Sequence, residues 1–188
     1  MGNIKKVGVL FSGGVESTFL LYEVLLKYDN VVTLSENLND VSYFTSRMIK
    51  RLEEITNKKV KEQILMNFEY TVIDNEQNIK EDLHDVYRRY IIENNVDLVF
   101  AGTNAYYDEV PSWAPRRDVR SETVKQPYFD MLKHEVMEKF YEHKIEHLLK
   151  HCHSCLHQTK DFICGECFNC RERKYAETRL DSTISTRW

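Results

Sequence analysis

An apolar strand pattern that runs directly into a glycine turn and then into an apolar helix pattern constrains this fold more than any other feature. Residues 6–11 are mostly apolar, Ser12, Gly13 and Gly14 follow, and apolar side chains dominate residues 15–28. A short strand that is apolar along its whole length is typical of a sheet covered on both faces. The segment therefore predicts a strand, turn and helix unit of a parallel sheet.

Strand and helix patterns continue to alternate through the first hundred residues. The expected strands are residues 6–11, 31–34, 70–73 and 96–101, and the expected helices are residues 15–28, 41–55 and 79–91. Asn39 or Asp40 is expected to cap the second helix. Four strands that alternate with three helices predict an α/β fold, with a parallel sheet, helices on both faces and ligands at the carboxyl ends of the strands.

The pattern changes after Gly102, which closes the fourth strand. Residues 103–126 show no sustained period, which predicts a long loop of the kind that is usually functional or mobile. Apolar residues between Phe129 and Leu148 recur at helical spacing and predict one long charged helix. The cysteine-rich segment begins where this helix is expected to end.

Composition and charge exclude several classes of function. The chain has 188 residues with a net charge of −4, so it offers no broad basic face and argues against a nucleic-acid partner. No apolar run approaches the roughly 20 residues of a membrane span, and the first residues do not form a signal peptide pattern. All five cysteines lie between Cys152 and Cys170, which indicates a local metal site rather than a disulfide framework. We therefore predict a cytoplasmic protein with no membrane partner.

Residues 12–17, with the sequence Ser-Gly-Gly-Val-Glu-Ser, have the composition of a phosphate-binding loop. Unpaired N–H groups at the start of a helix, with a partial charge of roughly +0.5, favour an anion. The glycines allow close approach of phosphate oxygens, and the hydroxyls of Ser12 and Ser17 can donate to them. The alternative is a turn that only links strand to helix. The motif is not of the Walker form, since no Gly-Lys-Ser/Thr follows.

A second motif is the spacing C-x8-C-x2-C-x2-C, whose thiolates can close a tetrahedral site on Zn²⁺. Its members are Cys155, Cys164, Cys167 and Cys170. Four protein ligands leave no open coordination position, so the motif predicts a structural metal. The alternative is a group of reduced, buried cysteines. The first ligand is the least constrained position, because four neighbours could replace Cys155: Cys152, His151, His153 and His157.

The 12–17 loop resembles the S-G-G-x-D-S signature of the PP-loop ATP pyrophosphatases, which cleave ATP between its α- and β-phosphates to adenylate a substrate. The resemblance implies a fold like that of the adenine-nucleotide alpha-hydrolases, with ATP and Mg²⁺ as cofactors. It assigns nucleotide binding to Phe11, Ser12, Gly13, Gly14, Val15, Glu16, Ser17, Thr18 and Gly102. It gives catalytic roles to Ser12, Glu16 and Ser17, with Glu16 near the magnesium ion at the position where the family usually has Asp.

The cysteine spacing also resembles that of the 7-cyano-7-deazaguanine synthases, which bind zinc near their C-terminus through this pattern. The same order holds for a Pro-led segment at residues 127–133, a helix and the cysteines. These enzymes convert 7-carboxy-7-deazaguanine, with ammonia and ATP, into 7-cyano-7-deazaguanine, the precursor of queuosine-type nucleosides. The resemblance implies a catalytic Lys133 near the nucleotide phosphates, against the alternative of a solvated lysine on a helix. Members of the family often form homodimers, so the resemblance implies a homodimer as one possible assembly of this chain.

The 106–117 segment lies where the synthases carry their substrate-recognition residues, although its sequence differs from theirs. Tyr107 and Trp113 can stack on a flat heterocycle, and Arg116 or Arg117 can hold a carboxylate through two parallel hydrogen bonds. The alternative is a surface loop whose arginines pair with nearby acidic residues.

These observations together predict an ATP-dependent carbon–nitrogen ligase that uses a small-molecule carboxylate and ammonia. Two other functions stay open: a PP-loop enzyme that adenylates a different carboxylate or a tRNA base, and a non-catalytic, zinc-bearing interaction module that binds a nucleotide. The expected organisation is a PP-loop nucleotide-binding domain over residues 1–150, a zinc-binding module over 151–180 and a flexible tail over 181–188.

Overall fold

The computed structural model describes residues 5–37, 40–67, 70–73, 76–79, 83–110, 118–153, 155, 157, 159 and 162–184. The strands among them are β1 (Val7–Leu10), β2 (Val31–Glu36), β3 (Val60–Met66), β4 (Tyr70–Ile73), β5 (Glu76–Ile79), β6 (Leu98–Ala101) and β7 (Val124–Lys125). The α-helices are α1 (Val15–Lys27), α2 (Val41–Thr56), α3 (Leu83–Glu93), α4 (Lys133–Glu142) and α5 (Phe168–Ile184). A 3-10 helix spans Glu146–His151.

Five strands form one parallel sheet in the order β3-β2-β1-β6-β7. Leu10, the last residue of β1, is in register with Leu34 of β2 and with Ala101 of β6. The chain runs from β1 to β2 and β3 on one side and returns to β6 on the other, so β1 and β6 flank the point where the strand order reverses. Ligands of open α/β sheets bind at the carboxyl ends of strands at such a point, which is where residues 12–17 and Gly102 lie.

Helices cover both faces of this sheet, which confirms the predicted α/β class. Val7 and Val9 of β1 share a buried cluster with α1 and α2. The alternate residues of β2, Val32 and Leu34, pack in two clusters that include residues of α3. This alternation follows from the two-residue period of a strand. Helix α2 begins directly after Asp40, the expected cap position, but the Asp40 side chain forms no capping hydrogen bond to the helix; Asn39 lies outside the described residues.

A strand at residues 70–73 is confirmed, but its predicted place in the parallel sheet was wrong, because the strand that follows β2 in that sheet is β3. Residues 70–73 form β4, which pairs antiparallel with β5 in a separate two-stranded sheet. Strand β3 lies at the edge of the main sheet, and only Ile64 and Met66 of its side chains are buried. A polar edge strand gives a weak hydrophobic signal. Helix α3 accordingly starts at Leu83 and not at residue 79.

The helix predicted between Phe129 and Leu148 is divided in two. Helix α4 ends at Glu142, Lys144 adopts a left-handed conformation with φ 57°, and the chain continues as the 3-10 helix. A left-handed residue cannot continue an α-helix. Residues 124 and 125 of the predicted loop form β7, which extends the sheet beside β6.

Helix α5 starts within the cysteine motif and packs back onto the main core through Phe168, Ala176 and Leu180. It continues to Ile184, into the segment expected as a tail. The division into domains stays a prediction. The described part of the chain contains no helix with the length and apolar content of a membrane span.

Candidate active site and metal centre

The 12–17 loop forms a tight turn between β1 and α1. Gly13 has φ +76°, a conformation that favours glycine, and Gly14 is the N-cap of α1. The two hydroxyls of the motif meet, since Ser12 Oγ lies 3.1 Å from Ser17 Oγ, and Ser17 also donates to Gly14 O at 3.3 Å. The structure thus brings both serines to the start of a helix, where the first N–H groups have no carbonyl partner within the helix.

The other motif residues support this turn. Phe11 is buried, and its N–H donates to Leu34 O at 2.8 Å, which ties the end of β1 to β2. Val15 and Thr18 are buried in the first turns of α1, and the Thr18 N–H donates to Gly14 O at 2.9 Å. These contacts hold the loop in place.

Gly102 lies directly against the backbone of α1. A Cβ atom at this position would be 2.9 Å from Ser17 N and 3.0 Å from the carbonyl carbon of Glu16. Both contacts are with backbone, which a side-chain rotation cannot relieve. The glycine at the end of β6 is therefore needed for the close packing of strand and loop.

Glu16 belongs to a buried cluster of charged side chains. Lys133, the first residue of α4, forms an ion pair with Glu16 and a second one with Glu172 of α5, where Nζ and Oε2 are 3.1 Å apart. Asn104, which follows β6, donates from Nδ2 to Glu172 Oε1 at 3.0 Å. All four residues are buried, with 2% to 8% of their surface exposed. Lys133 is therefore not the solvated lysine of the alternative interpretation.

The electrostatics of this cluster are set by burial and by mutual pairing. Burial opposes the charged form of Lys133, but the carboxylates of Glu16 and Glu172 outweigh it and raise the pKa of Lys133. Burial also raises the pKa of Glu172, partly against the effect of Lys133. Two carboxylates share one ammonium, so the fully ionised cluster carries one negative charge. Carboxylate oxygens are ligands that Mg²⁺ prefers, and Glu16 and Glu172 therefore fit such an ion chemically.

Sequence patterns did not place three residues beside the loop: Asn104, Glu172 and His153, the last of which was considered only as a possible metal ligand. Asn104 directly follows the carboxyl end of a parallel strand, and that position could have identified it. The His153 N–H donates to Gly13 O at 2.7 Å, and its ring stacks on Phe44 with centroids 4.8 Å apart. Neither His153 nor Glu172 has a local sequence signal, because each reaches the loop through tertiary packing.

The predicted substrate residues are only partly described. Tyr107 is buried, its ring stacks on His134 and meets Tyr175 edge to face, and its hydroxyl accepts a hydrogen bond from His134 N at 2.9 Å. Burial raises the pKa of Tyr107 to about 12. Its ring would have to leave this packing to stack on a ligand. Three other residues, Trp113, Arg116 and Arg117, lie outside the described residues.

The four motif cysteines come together at the start of α5. The sulfur atoms of Cys155, Cys164, Cys167 and Cys170 all lie within 4.8 Å of one another. Cys155 Sγ is 3.4 Å from Cys164 Sγ, which in turn is 4.0 Å from Cys170 Sγ. Thiolates bound to zinc at about 2.3 Å in a tetrahedron are about 3.8 Å apart, so this arrangement fits the ion.

Backbone N–H groups surround these sulfur atoms as they do in thiolate sites. The N–H groups of His157 and Cys164 point to Cys155 Sγ at 3.3 and 3.4 Å, and that of Cys167 points to Cys164 Sγ at 3.3 Å. Donors of this kind lower the pKa of Cys164 to about 6. Cys152 lies apart: it is buried, it donates to Leu148 O at 3.6 Å, and burial raises its pKa to about 11. The geometry thus favours Cys155 as the first ligand.

Comparisons with known proteins match no family model and no curated protein. Among solved structures, the chain is similar to an NH3-dependent NAD synthetase from Campylobacter jejuni subsp. jejuni NCTC 11168, solved with a nitrate ion. The two share 15% identity at a TM-score of 0.42, over 77% of this chain and 67% of that one. It is also similar to protein Rv1636 from Mycobacterium tuberculosis H37Rv, with 14% identity and a TM-score of 0.39, over 57% of this chain and 77% of that one. Likeness at this level carries no functional argument.

Proposed function

We propose that this protein is a PP-loop enzyme that adenylates a carboxylate with release of pyrophosphate. The acyl group of the adenylate is then transferred to ammonia with release of AMP. The substrate we propose is 7-carboxy-7-deazaguanine, and the product is 7-cyano-7-deazaguanine. This choice of substrate rests on the likeness of the two motifs to those of the synthases. The choice of reaction class rests in addition on the geometry around the 12–17 loop.

A single observation carries the proposal. A glycine turn lies where the strand order of the sheet reverses, and it holds two serine hydroxyls at the start of a helix. A buried lysine lies beside this turn. The turn offers N–H donors and hydroxyls to an anion. Lys133, already paired with Glu16, adds a positive charge next to the loop. A turn that merely linked β1 to α1 would need neither the paired serines nor the buried ion pair.

The residues have distinct roles in this reaction. Ser12, Ser17 and the first N–H groups of α1 bind the β- and γ-phosphates and stabilise charge as they leave. Glu16 would hold Mg²⁺ together with phosphate oxygens, and the ion would neutralise negative charge on the departing pyrophosphate. Lys133 can turn from Glu16 toward a phosphate while it keeps Glu172 as its partner. Glu172 and Asn104 position Lys133 for that exchange.

The chemistry balances with two molecules of ATP. A substrate carboxylate oxygen attacks the α-phosphorus, the bond to the bridging oxygen breaks, and pyrophosphate leaves. Ammonia then displaces AMP and gives an amide. The amide oxygen attacks the α-phosphorus of a second ATP, and loss of AMP with two protons gives the nitrile. Orientation of the reacting groups is worth roughly 7–11 kcal/mol in well-aligned systems, which fits a site that binds and positions.

Zinc has a structural role in this proposal. The four sulfur ligands would fill its coordination sphere and leave no position for substrate or water. They would also fix the start of α5, which carries Glu172 to the loop. The metal centre then supports the active site without contact with the reacting atoms.

Pyrophosphate release in the presence of ATP, ammonium and 7-carboxy-7-deazaguanine tests the proposal. We expect Ser17→Ala to lower the rate by about 100-fold, as loss of an oxyanion donor does, with an unchanged thermal melt. Thr178→Ala is the matched control, because its hydroxyl lies exposed on α5, where it donates to Tyr175 O. A full rate in Ser17→Ala would contradict the role of the loop.

A panel of other carboxylic acids separates the alternatives. Turnover of another acid with none of the deazaguanine would keep the reaction class and overturn the substrate. Pyrophosphate release only with tRNA would move the activation step to a base. If the protein binds ATP but releases no pyrophosphate with any of the acids or with tRNA, the non-catalytic module is favoured.

A further inference from the structure

A cavity of about 660 Å³ lies beyond the 12–17 loop, between helices α2 and α5. Residues at the end of the 3-10 helix and of the cysteine cluster also line it, and it opens to solvent. Ligand pockets for small molecules typically enclose about 300–1,000 Å³. The cavity therefore has the volume of a site for one small molecule, and the proposed reaction assigns it no role.

The walls of this cavity are strongly basic, although the whole chain has a net charge of −4. Its charged lining consists of five cations and one acid: Arg47, Arg51, Lys150, Arg173, Lys174 and Glu177. The balance of +4 is the reverse of that of the protein as a whole. Like charges so close together repel one another, which favours the binding of an anion between them.

Four of these cations, Arg47 among them, have no carboxylate partner within the described residues; Arg47 instead donates a hydrogen bond to the Tyr43 hydroxyl. The other three are Arg51, Lys150 and Lys174, whereas Arg173 pairs with Glu177 at 2.9 Å. Burial and, after it, the positive charges of Arg51 and Lys150 lower the pKa of His151. His151 therefore lies in the positive potential of this cavity. The cations come from α2, the 3-10 helix and α5, so they converge on the cavity from three elements.

Flat apolar surface lies next to these charges. Tyr43 and Phe44 line the α2 wall, and Tyr43 is 38% exposed. Ile163, which precedes Cys164 and also lines the cavity, is 62% exposed. Aromatic and aliphatic side chains that remain exposed beside cations can contact the faces of a planar ring. The lining thus suits a molecule with both a ring and negative charge.

The cavity is separate from the 12–17 loop. Phe44 and His153 stand between the two, because the His153 ring stacks on Phe44 and its backbone N–H bonds to Gly13 O. A nucleotide whose phosphates are bound at the loop would not have them among Arg51, Lys150 and Lys174. A ligand whose phosphate lies among these cations is therefore not the ATP whose phosphates are bound at the loop.

We propose that this cavity is a binding site for a small, ring-bearing phosphate monoester, of the chemical class of nucleoside monophosphates. Arginine binds two phosphate oxygens through parallel hydrogen bonds, and the lysines complete the neutralisation of a dianion. The concave shape and limited volume favour a single small molecule over a polynucleotide, which binds along an extended basic track. This site is independent of the proposed function.

Titration calorimetry of the intact, zinc-loaded protein with AMP tests the proposal. We expect Arg51→Gln and Lys174→Gln each to weaken binding by about tenfold, the usual effect of losing one charge-assisted hydrogen bond. Lys50→Gln is the matched control, because Lys50 is an exposed lysine of α2 outside the cavity lining. Ser17→Ala should leave this binding unchanged.

Fragments of AMP measure the separate contributions of its ring and of its phosphate to binding. Adenosine and ribose 5-phosphate should each bind at least tenfold more weakly than AMP. AMP binding that Ser17→Ala abolishes and Arg51→Gln leaves intact would overturn the second site and assign AMP to the loop. Tighter binding of a twelve-residue oligothymidylate than of AMP, lost in Arg51→Gln, would overturn the small ligand in favour of a nucleic acid.

Discussion

The ammonium group of Lys133 lies 3.1 Å from a carboxylate oxygen of Glu172, which joins the first residue of α4 to a helix that begins inside the cysteine motif. The same ammonium group pairs with Glu16 in the loop after β1. One buried lysine therefore connects the candidate active site with the candidate metal centre. Substitutions in either place should affect the other.

Lys133→Met tests this connection through stability. The substitution leaves Glu16 and Glu172 buried without a cation, and loss of one partner of a buried ion pair costs about 3–5 kcal/mol. We expect a fall of that size in the free energy of unfolding, measured by urea denaturation. Lys50→Met, at an exposed position of α2, should change it by less than about 0.5 kcal/mol. Addition of Glu172→Gln to Lys133→Met should recover part of the loss, and a strictly additive double variant would contradict the pairing.

Gly102→Ala should disturb the loop, because the new Cβ meets the backbone of Glu16 and Ser17. Overpacking of this kind costs about 1–3 kcal/mol, and the displaced loop should also lose ATP affinity. Gly8→Ala is the comparison, since the atoms nearest to its Cβ belong to the side chains of Leu34, Val96 and Val99. We expect both variants to be less stable, but only Gly102→Ala to bind ATP more weakly in an equilibrium titration. Equal ATP binding by the two would contradict the role of this contact.

Removal of zinc should loosen the C-terminal part of the chain. Structural zinc contributes about 10–16 kcal/mol of binding energy in small modules, so chelation or Cys167→Ser should lower the melting temperature by at least about 5 °C. Metal analysis should find one zinc per chain in the native protein and none in Cys167→Ser. Cys152→Ser is the control, because Cys152 lies outside the sulfur cluster, and it should keep its zinc. If chelation leaves the melting temperature unchanged, a structural role of the metal is contradicted.

The pKa of Glu36 predicts a pH dependence of stability. Burial at the end of β2 raises the pKa of this carboxyl above its ordinary value of 4.5, although Tyr87 donates a hydrogen bond to it at 3.0 Å. The folded protein thus holds this proton more tightly than the unfolded chain does. The contribution of Glu36 is fully present below pH 4.5 and is lost as the pH rises through the raised value. As the pH rises from 4 to 7, Glu36→Gln should therefore gain stability relative to the native protein, measured by urea denaturation. A difference in the free energy of unfolding that stays constant over this range would contradict the raised pKa of Glu36.

Patterns with strong local causes could be predicted from the sequence. The unit of β1, the glycine turn and α1 was predictable because the strand is apolar, the helix is rich in apolar residues and two glycines lie between them. The cysteine spacing likewise predicted the four sulfur atoms that come together. In both cases residues close in sequence are close in space, so spacing alone constrains the geometry.

Features that depend on long-range packing could not be predicted. Strand β3 lies at a sheet edge with mostly exposed side chains, and its pattern therefore lacked the apolar residues of a central strand. The ion pair of Lys133 with Glu16 joins residues separated by 117 positions, and Glu172 lies on a helix whose sequence is mostly polar. The roles given to these residues in catalysis stay predictions until the variants are measured.

The contacts that complete the loop after β1 come from late in the chain. The hydrogen-bond donor His153 and the ion-pair partner Glu172 are translated well after the loop itself. A nascent chain that ends before residue 172 has the glycine turn and the pair of Lys133 with Glu16, but it lacks the second carboxylate that holds Lys133. Full competence to bind a nucleotide should therefore be acquired only once residue 172 has been made and helix α5 has packed onto the core.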